Sequence, residues 1–407
     1  MRVAVLGAGL QGACVALELA EVGIAVDLYD REDACLTQAS AQNEGKIHLG
    51  YVFGNDRTLN TARLMIRGAA VFEPTLRRWL GTDLDRVPVS APFHYVVHRD
   101  SLLAADEVGD HLAACHALAA GEFPAAAGYF GSDPHRAPQR LTDAERDAVF
   151  GTRTVAAAFR TAEIALDPEA LSVLLRARLL AEPRITVHLG TEVRAVEPDG
   201  DRLRVRFDVG GGLASECYDH VVNCLWDGRL GVDATMGQRP DRPWLFRIKH
   251  YLRVCAPGQG AQIPSTTIVL GPFGDVVVHG DDLYLSWYPA GRQGISAELE
   301  PPPWPRVLDE FQAKELWHDV LGGLVGVVPA LEDLTPSTVS SWSARGGIIF
   351  AWGSSDIDDP GSGLHQRSAI GPQSHGTYHS VDTGKLTMAP LFGAQVTDRI
   401  RATGRAR

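Results

Sequence analysis

The chain has 407 residues, 45% of them apolar and 22% charged, and a formal net charge of -12. That length supports two domains around a large core, and the acidic balance excludes the electrostatic footprint of a nucleic-acid binder. No apolar run approaches the roughly eighteen residues of a membrane span, and no repeat is visible.

The predicted elements begin at once. Val3-Ala4-Val5-Leu6 reads as a strand, and Gly7-Ala8-Gly9-Leu10-Gln11-Gly12 as a G-x-G-x-x-G turn opening a helix that runs to Glu21. A second strand, Ala25-Val26-Asp27-Leu28-Tyr29, ends at Asp30. In such a unit Gly7 makes the tight turn, Gly9 lets backbone approach a pyrophosphate, and Gly12 lets helix pack on strand. The helix N-terminus faces the phosphates, and Asp30 reaches the ribose hydroxyls. Dinucleotide binding is the prediction, and a glycine-punctuated turn in an ordinary α/β protein is the alternative. With a strand starting at residue 2 there is no room for a signal peptide, so a cytoplasmic location is expected. Cys14, Cys35, Cys115, Cys217, Cys224 and Cys255 are scattered without metal or C-x-x-C spacing, which suits reduced, buried thiols.

Residues 40–50 are too polar and glycine-rich for a core element. Residues 58–79 carry a helical period, and 82–160 are mixed, with one helical stretch near 102–118. Asp167-Pro168 is a helix start with Asp as N-cap, and the helix runs to about residue 180. Alternating strands follow at 185–189, 191–196 and 203–209, and a short buried strand at 218–223. Four β-like runs at 244–254, 266–270, 275–279 and 283–288 form an antiparallel sheet of a second domain. Residues 308–321 are helical and 346–352 form a strand. Residues 356–384 are a long polar stretch expected to be structureless and functional. Pro390 starts a final helix. Lysine is scarce, with only Lys46, Lys249, Lys314 and Lys385. A retained lysine marks a place that wants a compact ammonium. Lys314 lies in a plain surface-helix pattern and is discounted.

This layout resembles the FAD-dependent oxidoreductases of the D-amino-acid oxidase superfamily. That group includes glycine and sarcosine oxidases, L-2-hydroxyglutarate oxidases and FAD-dependent glycerol-3-phosphate dehydrogenases. Four segments carry the resemblance: the fingerprint through Tyr29-Asp30-Arg31-Glu32, the loop Ser40-x-x-Asn43-x-Gly45-x-Ile47-His48-x-Gly50, Asp167-Pro168 followed by Val193, and Asp382-Thr383-Gly384-Lys385-Leu386-Thr387. It implies an α/β (α+β) fold, a Rossmann-like FAD-binding domain with an inserted antiparallel-sheet substrate domain. The FAD-binding domain is expected at 1–75, 160–230 and 345–407, and the substrate domain at 76–159 and 231–344. The cofactor would be held by Gly7, Gly9, Gly12, Asp30, Arg31, Ser40, Asn43, Gly45, Lys46, Val193, Asn223, Gly384, Lys385, Leu386 and Thr387. The chain departs from the family where Cys224 and Leu225 follow Asn223, in place of a frequent Ala-Gly, and where Glu44 sets an acid beside the phosphates.

The implied reaction is hydride transfer from a substrate carbon to flavin N5. Lys385 and the last helix would stabilise the anionic reduced flavin; the plainer reading has Lys385 capping a loop carbonyl. His48 has three readings: a hydrogen-bonded loop histidine, a covalent flavin link, or a substrate-facing group. On the strand 246–253, alternation sets Arg247, Lys249, Tyr251 and Arg253 on one face and Ile248, His250 and Leu252 on the other, without saying which meets the pocket. Lys249 could anchor an anion or promote oxygen reduction. Arg345 and Arg367 are candidate clamps for a carboxylate or phosphate. His279, Trp287 and Tyr288 end neighbouring β-like runs. His365, His375 and His379 share a segment with Asp356, Asp358 and Asp359, but no tight ligand spacing supports a metal. The leading reading is oxidation of a CH–N bond in an amino acid or small amine. The alternatives are oxidation of a CH–OH bond in a 2-hydroxy acid or polyol phosphate, and a nucleotide-binding sensor without turnover. The expected partners are a small polar, anionic substrate and oxygen or another electron acceptor.

Overall fold

The strand Arg2–Leu6 is the centre of a six-stranded sheet. The computed structural model describes residues 1–125 and 127–405. His220–Asn223 and Ala25–Tyr29 flank the first strand in parallel, and Ile185–His188 extends the sheet beyond Ala25–Tyr29. Tyr378–Asp382 adds in parallel to His220–Asn223, and Gly371–His375 closes that edge antiparallel. Val3, Ala4, Val5 and Leu6 have no exposed surface, as a parallel strand covered on both faces requires. The helix Leu10–Glu21 is buried along most of its length because it packs on this sheet and on the final helix, Ala389–Arg405. Gly393 permits that contact: a Cβ there would stand 3.1 Å from Cys14 backbone.

The expected structureless stretch 356–384 is only partly irregular. Its second half supplies the edge strand Gly371–His375 and its inner neighbour Tyr378–Asp382. The latter is buried although it reads Tyr-His-Ser-Val-Asp, because its polar groups are satisfied from inside. His379 meets Ser374 at 2.8 Å, and Ser380 donates to Asp233 at 2.8 Å. A polar strand of this kind has no hydrophobic period to betray it.

The second sheet has nine strands. Trp244–Cys255 is its spine, paired with Ser341–Trp352 at every position from Trp244 opposite Trp352 to Cys255 opposite Ser341. On its other edge Arg292–Ser296 pairs with residues 246–249 and Asp282–Trp287 with residues 252–255, and Gly274–His279 and Thr266–Val269 follow Asp282–Trp287. Two strands from the mixed region, His94–His98 and Val155–Arg160, extend the sheet, and His94–His98 runs parallel to Thr266–Val269. The domain break expected at 345 therefore falls inside the strand Ser341–Trp352. The helix Glu310–Val325 covers the back of this sheet with Leu316, Trp317, Val320, Leu321 and Leu324. Among the described residues no helix is long and apolar enough to cross a membrane, and all six cysteines are free thiols.

Two buried histidines make the fold sensitive to acid. Burial pushes His279 down to about 4 and His379 down to about 3. An unfolded histidine titrates near 6.5. As pH falls below about 6.5 the unfolded chain binds protons that the folded chain refuses, so stability falls. We expect a lower melting temperature at pH 5 than at pH 7, above the range where most carboxylates titrate. Equal melting temperatures would contradict this.

Candidate flavin and substrate site

A cavity of about 900 Å³ runs between the two sheets, from Gly7, Gly9, Asp30 and Val193 at one end to Lys249, Arg367 and Lys385 at the other. Its first half is built by the glycine turn. Gly7 has φ +94°, and a Cβ there would lie 2.7 Å from the Cys224 carbonyl oxygen. A Cβ on Gly12 would lie 1.8 Å from the Gly7 carbonyl oxygen, so helix and turn touch only through glycine. Gly9 differs: its Cβ would meet only Ser40 Oγ, at 3.2 Å, and would point into open cleft. The helix carries no acid in its first turn, which leaves its positive end to a phosphate.

The surrounding groups hold that shape. Ser40 Oγ accepts from Leu10 N at 2.7 Å. Asp30 accepts from Ala8 N at 2.6 Å and from Glu32 N at 2.9 Å, leaving lone pairs for a ribose hydroxyl. Arg31 and Arg306 meet on Asp227 from opposite sides of the cleft, at 2.9 and 2.8 Å. An elongated cavity with a glycine cradle, a free helix N-terminus and a carboxylate at the ribose position fits an FAD.

At the other end the segment Lys46–Ile47 pairs with Ile164–Ala165. Thr387 Oγ1 accepts from His48 N at 2.9 Å and donates to the Lys46 carbonyl at 3.1 Å. Leu49 N donates to Glu163 at 2.7 Å, and Tyr95 OH bonds the same buried carboxylate. The backbone at His48 is thus fixed, and its ring lies with Nδ1 3.5 Å from Glu163 and Nε2 3.9 Å from Glu44. Burial holds its imidazole below the ordinary value, so it is neutral near pH 7. Lys385 Nζ lies 3.4 Å from Glu44. Burial opposes the Glu44 charge, but Lys385, Lys46 and Lys249 together hold its carboxyl well below the usual range.

Alternation in the spine strand resolves in favour of the charged face: Arg247, Lys249 and Tyr251 line the cavity. His250, on the other face, reaches the Pro305 carbonyl at 2.9 Å. Arg247 is 2% exposed and donates to Tyr288 OH at 2.7 Å and to Asp356 at 2.8 Å. Arg367 also lines the cavity, and burial together with the nearby Arg247 lowers it to about 10. Its Nε donates to the Leu364 carbonyl at 3.3 Å.

Of the residues singled out from the sequence, the cavity brings together Gly7, Gly9, Asp30, Arg31, Ser40, Asn43, Lys46, His48, Val193, Lys249, Arg367, Gly384, Lys385 and Leu386. Lys46 reaches it with its ammonium already committed to Asp275 and Thr267, over the Phe93 ring. Gly12, Gly45 and Thr387 stand behind the wall, and Gly45 abuts the Leu166 carbonyl. Asn223 is fully buried and does not line the cavity; its amide donates to Arg229 O, Asp233 and Tyr378 OH. It shapes the turn that presents Cys224, Leu225 and Trp226 to the cleft. Arg345 is held by Glu169 and Ser343 outside the cavity. Tyr288 is a wall residue, whereas Trp287 packs on Phe273 and His279 lies beside Asp167 and Arg253. The sequence alone does not single out Glu163 or Asp275, and it offers Asp356 only beside the histidines of its segment. The one signal for Glu163 was an acid inside the apolar run Ala162-Glu163-Ile164-Ala165.

Asp167 joins the two sheets' environments. It caps the helix Pro168–Ala181 by accepting from Glu169 N at 2.9 Å and Ala170 N at 3.2 Å, and it pairs with Arg253 at 2.9 Å. Asp167→Ala removes the cap and one of three carboxylates on Arg253, leaving Asp282 at 3.2 Å and Glu169 at 3.5 Å, so we expect a loss of about 1–2 kcal/mol in chemical denaturation. A loss below ~0.5 kcal/mol would show that neither bond matters.

The model of the family of FAD-dependent oxidoreductases abbreviated DAO matches residues 2–399. No curated protein matches the chain by sequence. Among solved structures, glycine oxidase from Geobacillus kaustophilus superposes with a TM-score of 0.68 at 16% identity, covering 98% of this chain and 95% of that one. Iminodiacetate oxidase from Chelativorans sp. BNC1 gives 0.67 at 15% identity, covering 98% and 95%. L-alpha-glycerophosphate oxidase from Mycoplasma pneumoniae gives 0.64 at 14% identity, covering 97% and 94%. At these identities the likeness is one of fold, and the family match over nearly the whole chain agrees with the cradle and the cavity. The chain belongs to the DAO family of FAD-dependent oxidoreductases.

Proposed function

We propose that the protein oxidises a small anionic substrate at a CH–N bond, as an amino acid or small amine presents it. The observation that carries this is Arg367, a cavity-lining guanidinium with no carboxylate within 4 Å among the described residues. An arginine left open in this way suits a substrate carboxylate in bidentate contact. Arg247, Lys249 and Lys385 add positive charge around it. That charge disfavours an ammonium and favours the neutral amine, the form whose lone pair assists loss of hydride from the adjacent carbon. Bound FAD supplies the hydride acceptor, and oxygen or another acceptor takes the electrons onward. Structural neighbours include a glycine oxidase and an iminodiacetate oxidase.

A second reading, oxidation at a CH–OH bond, is favoured by His48. A neutral imidazole on the cavity wall, backed by the buried Glu163, suits removal of a hydroxyl proton. The test is anaerobic bleaching of the flavin with panels of amino and hydroxy acids, with ammonia or freed amine assayed in the product. Bleaching with stoichiometric amine release supports the CH–N reading. Bleaching without it sinks that reading and leaves CH–OH. Flavin that dithionite bleaches but no substrate does would return the sensor alternative.

A further inference from the structure

We propose that the substrate is a dianion, one of its anionic groups meeting Arg367 and the other Lys249. This rests on the functional reading above and names its substrate class. The reasoning is a charge count at the closed end of the cavity. Asp356 answers Arg247 at 2.8 Å and Arg292 at 3.1 Å. Asp275 answers Lys46, and Glu44 answers Lys385 at 3.4 Å. Asp356 sets one negative charge against two guanidiniums, and two further cations have no ion pair of their own. Neither Lys249 nor Arg367 has a carboxylate within 4 Å among the described residues, and both line the same cavity.

Unanswered cations in a protein interior are costly, and a chain with a net charge of -12 has no shortage of acids to answer them. The strand places Lys249 over aromatic rings instead, with its ammonium 5.9 Å from the Tyr284 ring and 6.0 Å from the Tyr288 ring. Burial lowers both groups and Arg247 adds to it, while Asp275 and Glu44 favour the Lys249 charge, and Asp382 and Glu44 that of Arg367, without an ion pair to either. The Nε of Arg247 is buried without a hydrogen-bond partner. One carboxylate satisfies one of the two. A bound flavin would draw on Lys385 and the start of the helix Ala389–Arg405, which leaves Lys249 and Arg367 to the substrate. Lys249 and Arg367 come from separate elements, the spine strand and the segment after Gly363–His365. A dicarboxylate offers each of them an anionic group of its own.

The test pairs substrates that share a reacting centre and differ in charge: alanine with aspartate and glutamate, glycine with iminodiacetate, lactate with malate and 2-hydroxyglutarate, and glycerol with glycerol 3-phosphate. For the pair that bleaches the flavin, kcat/KM should be at least 100-fold higher for the dianion. Lys249→Met should collapse that ratio toward one, and Lys249→Arg should keep part of it. A preference for the dicarboxylates upholds the inference, whereas a preference for glycerol 3-phosphate with none for a dicarboxylate overturns it, because a single phosphate does not supply two anionic groups. An independent readout is binding to the oxidised holoenzyme, followed by perturbation of the flavin spectrum. Succinate should bind at least tenfold tighter than acetate, and Lys249→Met should remove the difference. Equal turnover of monoanions and dianions, or equal binding of acetate and succinate, overturns the inference. If no substrate bleaches the flavin the functional reading falls, while the succinate and acetate titrations still decide this one.

Discussion

Gly9→Val is expected to give a folded protein holding less than about a tenth of its flavin. Gly9 has φ -74° and ψ -177°, a conformation open to any residue, and its Cβ would meet only Ser40 Oγ. The fold therefore has no reason to reject a side chain there. The two methyl groups of valine instead enter the cleft in front of the helix Leu10–Glu21, where backbone must come close to a pyrophosphate. Gly12→Ala is the contrast. Its Cβ would stand 1.8 Å from the Gly7 carbonyl oxygen, so damage there reaches the fold itself. The check is the ratio of flavin to protein absorbance beside a far-ultraviolet circular dichroism spectrum. Normal flavin content with a native spectrum would overturn the phosphate-loop assignment.

Lys385→Met is expected to slow flavin reduction about 100-fold and to lower the flavin potential, with binding largely kept. Preorganised charge where negative charge develops is worth factors of this size. The structure adds a partner to the argument. Lys385 lies 3.4 Å from Glu44, whose carboxylate remains when the lysine is gone. Part of the loss is then repulsion by Glu44, not the missing ammonium alone. The double variant Glu44→Gln/Lys385→Met should recover a measurable part of the potential, and the cycle of four proteins separates the two effects. Unchanged reduction rate and potential in Lys385→Met would remove this lysine from the mechanism.

Where local spacing and backbone conformation determine a role, the amino-acid order was enough. The turn Gly7 to Gly12, the position of Asp30 at the end of the second strand and the N-cap Asp167 were legible because each lies within one unit of strand, turn and helix. The charged face of the spine strand was legible as a face, through its period of two. Its direction was not, since either side of a strand can be covered. Only the tertiary structure assigned Arg345 to Glu169 and left Arg367 open in the cavity. As residues the two arginines look alike, and the difference lies in which acid the fold brings alongside. The same cause moved Asn223 behind the cavity wall, committed Lys46 to Asp275, and seated His48 between Glu44 and Glu163. Charge pairing acts through space between residues more than a hundred positions apart, as Lys46 and Asp275 are. Periodicity and turn chemistry act along the chain and carry no record of it.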